Sequence, residues 1–550
     1  MSKLTIAFCL VCLPIAAATV SDCHKPEAAG VGAARSSSGV RASPSASVAP
    51  AGCHISGPSR AVISKLGRPM HAKLFTTPQK PIPYYGQLGD LEAYAATVRA
   101  VKEILDGLTH GSDGRFDYEV VEVDAHNPPQ EAKAALMPGP THQMGILFSC
   151  GDLDSSIPIN WLVSDSIPGG LGLEFRLLDA IRILATRVEG RTLHVGVLTG
   201  HGEARLSDPN FMIGVDVSLQ GALAKTETDR YRLPKHELHA VDLQGGDQPI
   251  DPQLEGLLII QPESSLTDKE LRRIDEFVMR GKKLMVAASA VNIKPRDRTM
   301  QASLDSHGLG PLLLGYGFQM REDVVLDRLE YADVAPRRCD YNPMLILPLC
   351  PSETFPEGAH LGCDFAPLFL GVPEIAMASS LVLRAEQQPE EAPNLRAIIA
   401  TSPKGQRRTG APLLNPLQEW TKAGTEERLV VAATISGRLR SAFTAGAERP
   451  RVPDGKTASV FVVSSASLFA NPYVRAMGQA KALSPQLNRP VVDSGMSLEC
   501  AGDSFAGRFE DAFFVLRMTL DWMDMTPEFA RLSEQTWCGE TLPPESAHHQ

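Results

Sequence analysis

The residues best placed to do chemistry in this 550-residue sequence are Gly200, His201, Gly202 and Glu203. They follow LHVGVLT (193–199), an apolar run of the kind buried in a parallel sheet, and open α/β sheets bind ligands at the carboxyl ends of their strands. In that position His201 has the chemistry of a general base and Glu203 that of the acid that orients it. The competing reading is a tight glycine turn whose side chains satisfy backbone groups. Zinc deaminases also carry a His-x-Glu, but their paired-Cys element is missing here. The four residues therefore make a candidate binding turn, with no catalytic set assembled around them.

Other motifs fail on spacing. HELH (236–239) puts two histidines three apart, whereas zincin ligands must be four apart to share a helix face, and Pro234 stands beside them. Gly455–Lys456–Thr457 lacks the glycine five residues earlier that would let backbone amides wrap a phosphate; Pro450 occupies that position, so the triplet reads as a turn. No G-x-S-x-G or G-x-C-x-G elbow occurs. Cys150 closes an apolar run and reads as a buried thiol, and the acid pairs Glu390–Glu391 and Glu426–Glu427 read as solvated faces. These readings assign no catalytic residue, no metal ligand and no cofactor.

A net charge of −11 disfavours nucleic acid and polybasic lipid contact as well. Lys3, the apolar run 4–20 and Ala16–Ala17–Ala18 read as a secretory signal, with an uncleaved N-terminal anchor as the second choice. Cys23 lies at a lipoprotein-like distance, although Asp22 stands where a small residue precedes a lipidated cysteine. Residues 23–59 are rich in Ala, Ser, Gly and Pro and read as a flexible tether. Export leaves Cys339, Cys350 and Cys363 open to a disulfide, or to life as buried thiols.

The elements that must position the turn alternate along the chain. MHAKLFTT (70–77), FDYEVVEVD (116–124) and MGILFSC (144–150) are strands around an amphipathic helix over 90–108, which Asp90 can cap. That order over 60–150 suits a thioredoxin-like α/β domain, without its C-x-x-C. Helices are expected at 173–189, 210–224 and 267–281, the last with a Thr267–Glu270 capping box and Gly281 as its stop. Strands at 193–199, 257–262 and 283–289 alternate with them, which predicts a parallel, doubly wound sheet. Residues 290–395 read as an irregular insertion. Strands resume at 396–402, 428–434 and 459–465, and a closing helix spans 510–524.

From about residue 60 to residue 530 the sequence resembles GldG-type proteins, the gliding-motility-associated auxiliary components of ABC transporters. The resemblance rests on LEFRLLDAIRIL (173–184), the LTGHGE turn (198–203), LLIIQPESSLTDKELRRIDEFVMRGKKLMV (257–286), SVFVVSSASLFAN (459–471) and FFVLRMTLDWM (513–523). It implies a flavodoxin-like core over 173–530, similar to class I glutamine amidotransferase domains but without their nucleophile. It also implies partners: a permease and a separate ATP-binding subunit. Family members carry a transmembrane helix near the C-terminus, whereas residues 531–550 are a polar tail here, so the resemblance points to a soluble periplasmic or singly anchored form. The alternatives are an exported hydrolase using His201 and Glu203, and a secreted carbohydrate-binding protein, against which the four tryptophans are scattered (161, 420, 522 and 537).

Overall fold

The computed structural model describes residues 55–64, 66–77, 91–124, 127–136, 144–158, 173–203, 235–294, 297, 300–327, 345–346, 375–414, 424–443, 449–469, 519–520 and 522–524. Outside them lie the N-terminal signal and tether, Asp90, the helix expected at 210–224, Cys339, Cys350 and Cys363, and most of the closing helix.

The first layer contains α1 (Gly57–Ser64), β1 (Met70–Thr76), α2 (Leu91–Gly111), β2 (Phe116–Glu122), β3 (Met144–Cys150), β4 (Leu153–Pro158) and α3 (Leu173–Val188). Tyr94, Val98, Val101, Leu105 and Leu108 recur every three or four residues along α2 and are all buried, so the helix lays one apolar stripe on the sheet. The sheet order is β2-β1-β3-β4, with β1 parallel to β2 and the other neighbours antiparallel. A second, small cluster built on Phe75, Leu147, Ala132 and Leu136 forms a separate core. By sequence order α3 is grouped with the larger sheet that comes after it. Its Phe175, Leu178, Ile181 and Leu184 instead pack into the core of this first sheet.

The larger sheet begins at β5 (Thr192–Thr199) and continues through β6 (Lys235–Asp242), β7 (Gly256–Ile260), α4 (Asp268–Met279) and β8 (Lys283–Ala287). The irregular stretch contributes β9 (Val291–Ile293), β10 (Ala302–Leu304), α5 (Gly310–Gly315), β11 (Phe318–Met320), β12 (Val324–Asp327), β13 (Leu345–Ile346), β14 (Ile375–Ala376) and β15 (Leu381–Leu383). Then come β16 (Arg396–Ala400), β17 (Gly405–Arg408), β18 (Val430–Gly437) and β19 (Ala458–Val463). The order is β11-β15-β18-β19-β8-β7-β5-β6, with β16 also on β18.

Five of these strands, β6-β5-β7-β8-β19, are mutually parallel. Every residue of β7 and β19 is buried, as expected of strands covered on both faces. The remainder departs from the parallel sheet that the alternation predicts: β18, β16, β15 and β11 run antiparallel to their neighbours. The link from β18 to β19 explains part of this. It folds back on itself through an Arg440–Arg451 bridge, and such a return pairs strands head to tail, whereas a parallel partner needs a crossover. Nor is 290–395 only an insertion, because β11 and β15 extend the main sheet.

Candidate functional site

All five parallel strands end on one edge, and the chain leaves β5 for β6 on one side but continues from β7 to β8 and β19 on the other. The gap between the ends of β5 and β7 is therefore the switch point where open sheets place their ligands. The Gly200–Glu203 turn sits there. Gly200 (φ 116°) and Gly202 (φ 82°) hold left-handed conformations that disfavour other residues. A Cβ on Gly202 would come within 2.9 Å of the Glu263 side chain. The carbonyl of His201 accepts the backbone N–H groups of Glu263 (2.7 Å) and Ser264 (3.1 Å), which stitches the turn to the end of β7.

The His201 ring lies between two acids. Its Nδ1 is 3.2 Å from Glu203 Oε1 and its Nε2 is 3.2 Å from Glu270 Oε2. The side chains are 11% (His201), 0% (Glu203) and 3% (Glu270) exposed. Glu203 Oε2 also accepts the backbone N–H of His201 at 2.7 Å. Glu270 comes from the N-terminus of α4, where it completes the capping box: Thr267 donates its backbone N–H (2.8 Å) and its hydroxyl (2.9 Å) to Oε2. Its Oε1 accepts the N–H of Gly245 at 3.1 Å. Burial pushes the Glu270 carboxyl up, but the Thr267 N–H and hydroxyl and the facing His201 outweigh it and hold the group below the usual carboxylate range.

The consequence is chemical. An imidazole acting as general base needs one ring nitrogen turned toward a substrate proton. Both nitrogens of His201 face carboxylates that are themselves held by backbone groups. The arrangement fastens β5, the loop after β6, β7 and the start of α4 together.

Next to this turn is a cleft of about 270 Å³. Gln261 and Glu263 beyond β7, Ser289 and Asn292 around β8 and β9, and Ser465 and Ser467 beyond β19 line it. His201 is not among its lining residues. Neutral amides and hydroxyls are set among the apolar side chains of Val291, Ile293, Ala376 and Met377, with Glu263 and Lys294 supplying one charge of each sign. Gln261 organises the floor: its Oε1 accepts Ser289 N–H (2.9 Å), and its Nε2 donates to Ser289 O (3.1 Å) and Asn292 Oδ1 (3.0 Å). On the opposite wall Ser465 Oγ donates to Ala376 O (2.6 Å), and Ser467 Oγ accepts the Ala376 N–H (2.9 Å). Gln261 (φ 42°), His307 (φ 49°) and Met377 (φ 53°) all line the cleft in left-handed backbone conformations that non-glycine residues avoid. Such strain clusters at functional sites, which makes the cleft a candidate ligand-facing surface. No residue type or spacing in the sequence announces it.

The remaining motifs fall elsewhere. His236 points into the core and His239 outward from the same strand, so the HELH histidines cannot share an ion. Gly455 (φ 74°) occupies an exposed turn before β19, with Lys456 and Thr457 exposed beside it. Cys150 is a buried free thiol whose Sγ donates to Pro69 O at 3.4 Å, and burial pushes its thiol up, away from reactivity. Trp522 packs on Phe461 with ring centroids 5.6 Å apart, while Trp161, Trp420 and Trp537 lie outside the described residues. No helix among the described residues is long and apolar enough to cross a membrane.

Residues 193–492, more than half of the chain, match the family described as "ABC-type uncharacterized transport system". No curated protein matches the chain. Among solved structures, the chain is similar to the "mmIFT52 N-terminal domain", with 10% identity over 53% of this chain and 94% of that one, and a TM-score of 0.26. That likeness is too loose to carry an argument.

Proposed function

The chain belongs to this family of auxiliary components of ABC-type transport systems, and from that premise we propose that it is a non-catalytic binding subunit exposed on the periplasmic side. Its partners in this reading are a permease and a separate ATP-binding subunit, and the phosphate-loop spacing that ATP binding would need is missing around Gly455. The observation that carries the non-catalytic part is the state of His201, whose two ring nitrogens are both taken up by buried acids. The cleft beside it supplies the binding part: hydroxyl and amide groups set among apolar side chains suit an uncharged ligand with both polar and apolar faces.

The strand orders support the finer fold reading as well. The β2-β1-β3-β4 order, with its one parallel pair, supports a thioredoxin-like module. The order β6-β5-β7-β8-β19 supports a flavodoxin-like core of the amidotransferase type, since the first strand of the unit lies second from its edge. In this division the first module ends after α3, because α3 packs there. An uncleaved N-terminal anchor followed by the 23–59 tether would hold both modules near a membrane.

Affinity purification from gently solubilised membranes tests the proposal. Recovery of an ATP-binding subunit and a permease with the chain is the expected result. Recovery of the chain alone in the soluble fraction would overturn it.

A further inference from the structure

A second histidine–acid cluster lies at the other end of the same sheet. β5 and β6 are parallel neighbours in which His194 is the direct register partner of Glu237. Register partners share a face, and residues two apart on a strand share a face, so His194, Glu237 and His239 all project to one side. Their ligand atoms lie within 4.8 Å of one another. His194 Nδ1 is 2.9 Å from His239 Nε2 and 3.6 Å from Glu237 Oε2. The two rings are tilted by 43° with centroids 5.1 Å apart.

We infer that His194, Glu237 and His239 form a binding site for a divalent first-row transition cation of the zinc type, with an open fourth position. Two imidazoles and one carboxylate are a borderline donor set that suits zinc, cobalt, nickel or copper, whereas calcium and magnesium take oxygen ligands. A tetrahedral ion with metal–nitrogen bonds of about 2.0–2.1 Å spaces its ligand atoms about 3.3 Å apart. The observed 2.9 and 3.6 Å from His194 bracket that spacing, and the third separation, between His239 and Glu237, lies within 4.8 Å. Without an ion only one hydrogen can lie between the two facing ring nitrogens; an ion would engage both lone pairs.

The backbone is already fixed for this task. Glu255 Oε2 accepts the N–H of His194 at 2.7 Å, and the N–H of Glu255 donates to His194 O at 2.8 Å. The site is open to solvent, with His194 37% and Glu237 41% exposed, so an ion can enter. It spans the outermost pair of strands at that side of the sheet among the described residues, where β6 is the last strand. A bound ion would clip that edge strand to β5 and stabilise the folded form by mass action. The position is near the amino-terminal ends of both strands, away from the His201 turn and the cleft.

The purified full chain titrated with Co²⁺ tests the inference, with visible absorption and calorimetry as readouts. The expected result is one equivalent bound with the weak visible bands of a nitrogen–oxygen site, and a melting temperature that rises with Zn²⁺. His194→Ala and His239→Ala should each weaken binding at least tenfold, and the double variant should lose the equivalent while keeping its circular dichroism. Glu237→Gln should weaken it less than either. Three results would overturn the inference: no binding, undiminished binding in the double variant, or intense near-ultraviolet charge-transfer bands that place the ion on cysteine thiolates.

Discussion

His201 and His194 stand at opposite ends of one strand, each with a histidine–glutamate pairing, and their surroundings give them opposite characters. At the carboxyl end, His201 is enclosed with Glu203 and Glu270, and both carboxylates also accept backbone N–H groups of a turn or a cap. At the amino end, His194, Glu237 and His239 are open to solvent, and their ligand atoms converge within 4.8 Å of one another. Residue type is the same in both places. Burial turns one set into a structural clasp, and exposure with convergence leaves the other available to an ion.

The sharpest way to break this comparison is to remove the clasp. Glu270→Ala strips His201, Thr267 and the Gly245 N–H of an acceptor in a buried setting, and breaking such a pair costs about 3 kcal/mol. Urea unfolding should show the lower midpoint; an unchanged midpoint would mean that the contacts contribute nothing. Gly202→Ala forces a side chain into a left-handed turn against Glu263, at about 1–3 kcal/mol. Thr267→Ala removes the α4 cap for about 1 kcal/mol.

Acid gives a graded version of the same test. Glu270 is held below its ordinary value of 4.5, so the unfolded chain takes up its proton first as pH falls. Its contribution is fully present above about pH 4.5 and is lost as pH drops through the lowered folded value. Urea midpoints measured from pH 6 to pH 3 should fall over that window, and Glu270→Gln should flatten the fall. A variant with the parental slope would remove Glu270 from the account.

How much of this contrast was legible in the sequence depends on how far apart the participants lie. The α2 stripe and the Thr267–Glu270 box are written within one or two helical turns, and both are present. The second role of Glu270 is not written anywhere nearby, because its partner His201 is 69 residues away. The same distance problem hides the outer cluster. HELH, read within its own segment, pairs His236 with His239, which face opposite sides of β6, while the working partner of His239 is 45 residues earlier on β5. Strand direction fails for a related reason. The apolar run at β18 looks like those of the parallel strands, and the return that links it to β19 sets that pair antiparallel.

The smallest expected effect decides whether the two ends really differ. In chelator-treated protein, His194→Ala and His239→Ala should change stability by no more than about 0.5 kcal/mol, as surface substitutions usually do. Neither ring carries a backbone group in the way that Glu203 and Glu270 do, so their removal strands no buried donor. Matched urea curves for the parent and both variants would show this. A loss comparable to that of Glu270→Ala would make the outer cluster a second clasp, and the contrast between the two ends of β5 would then have to rest on something other than burial.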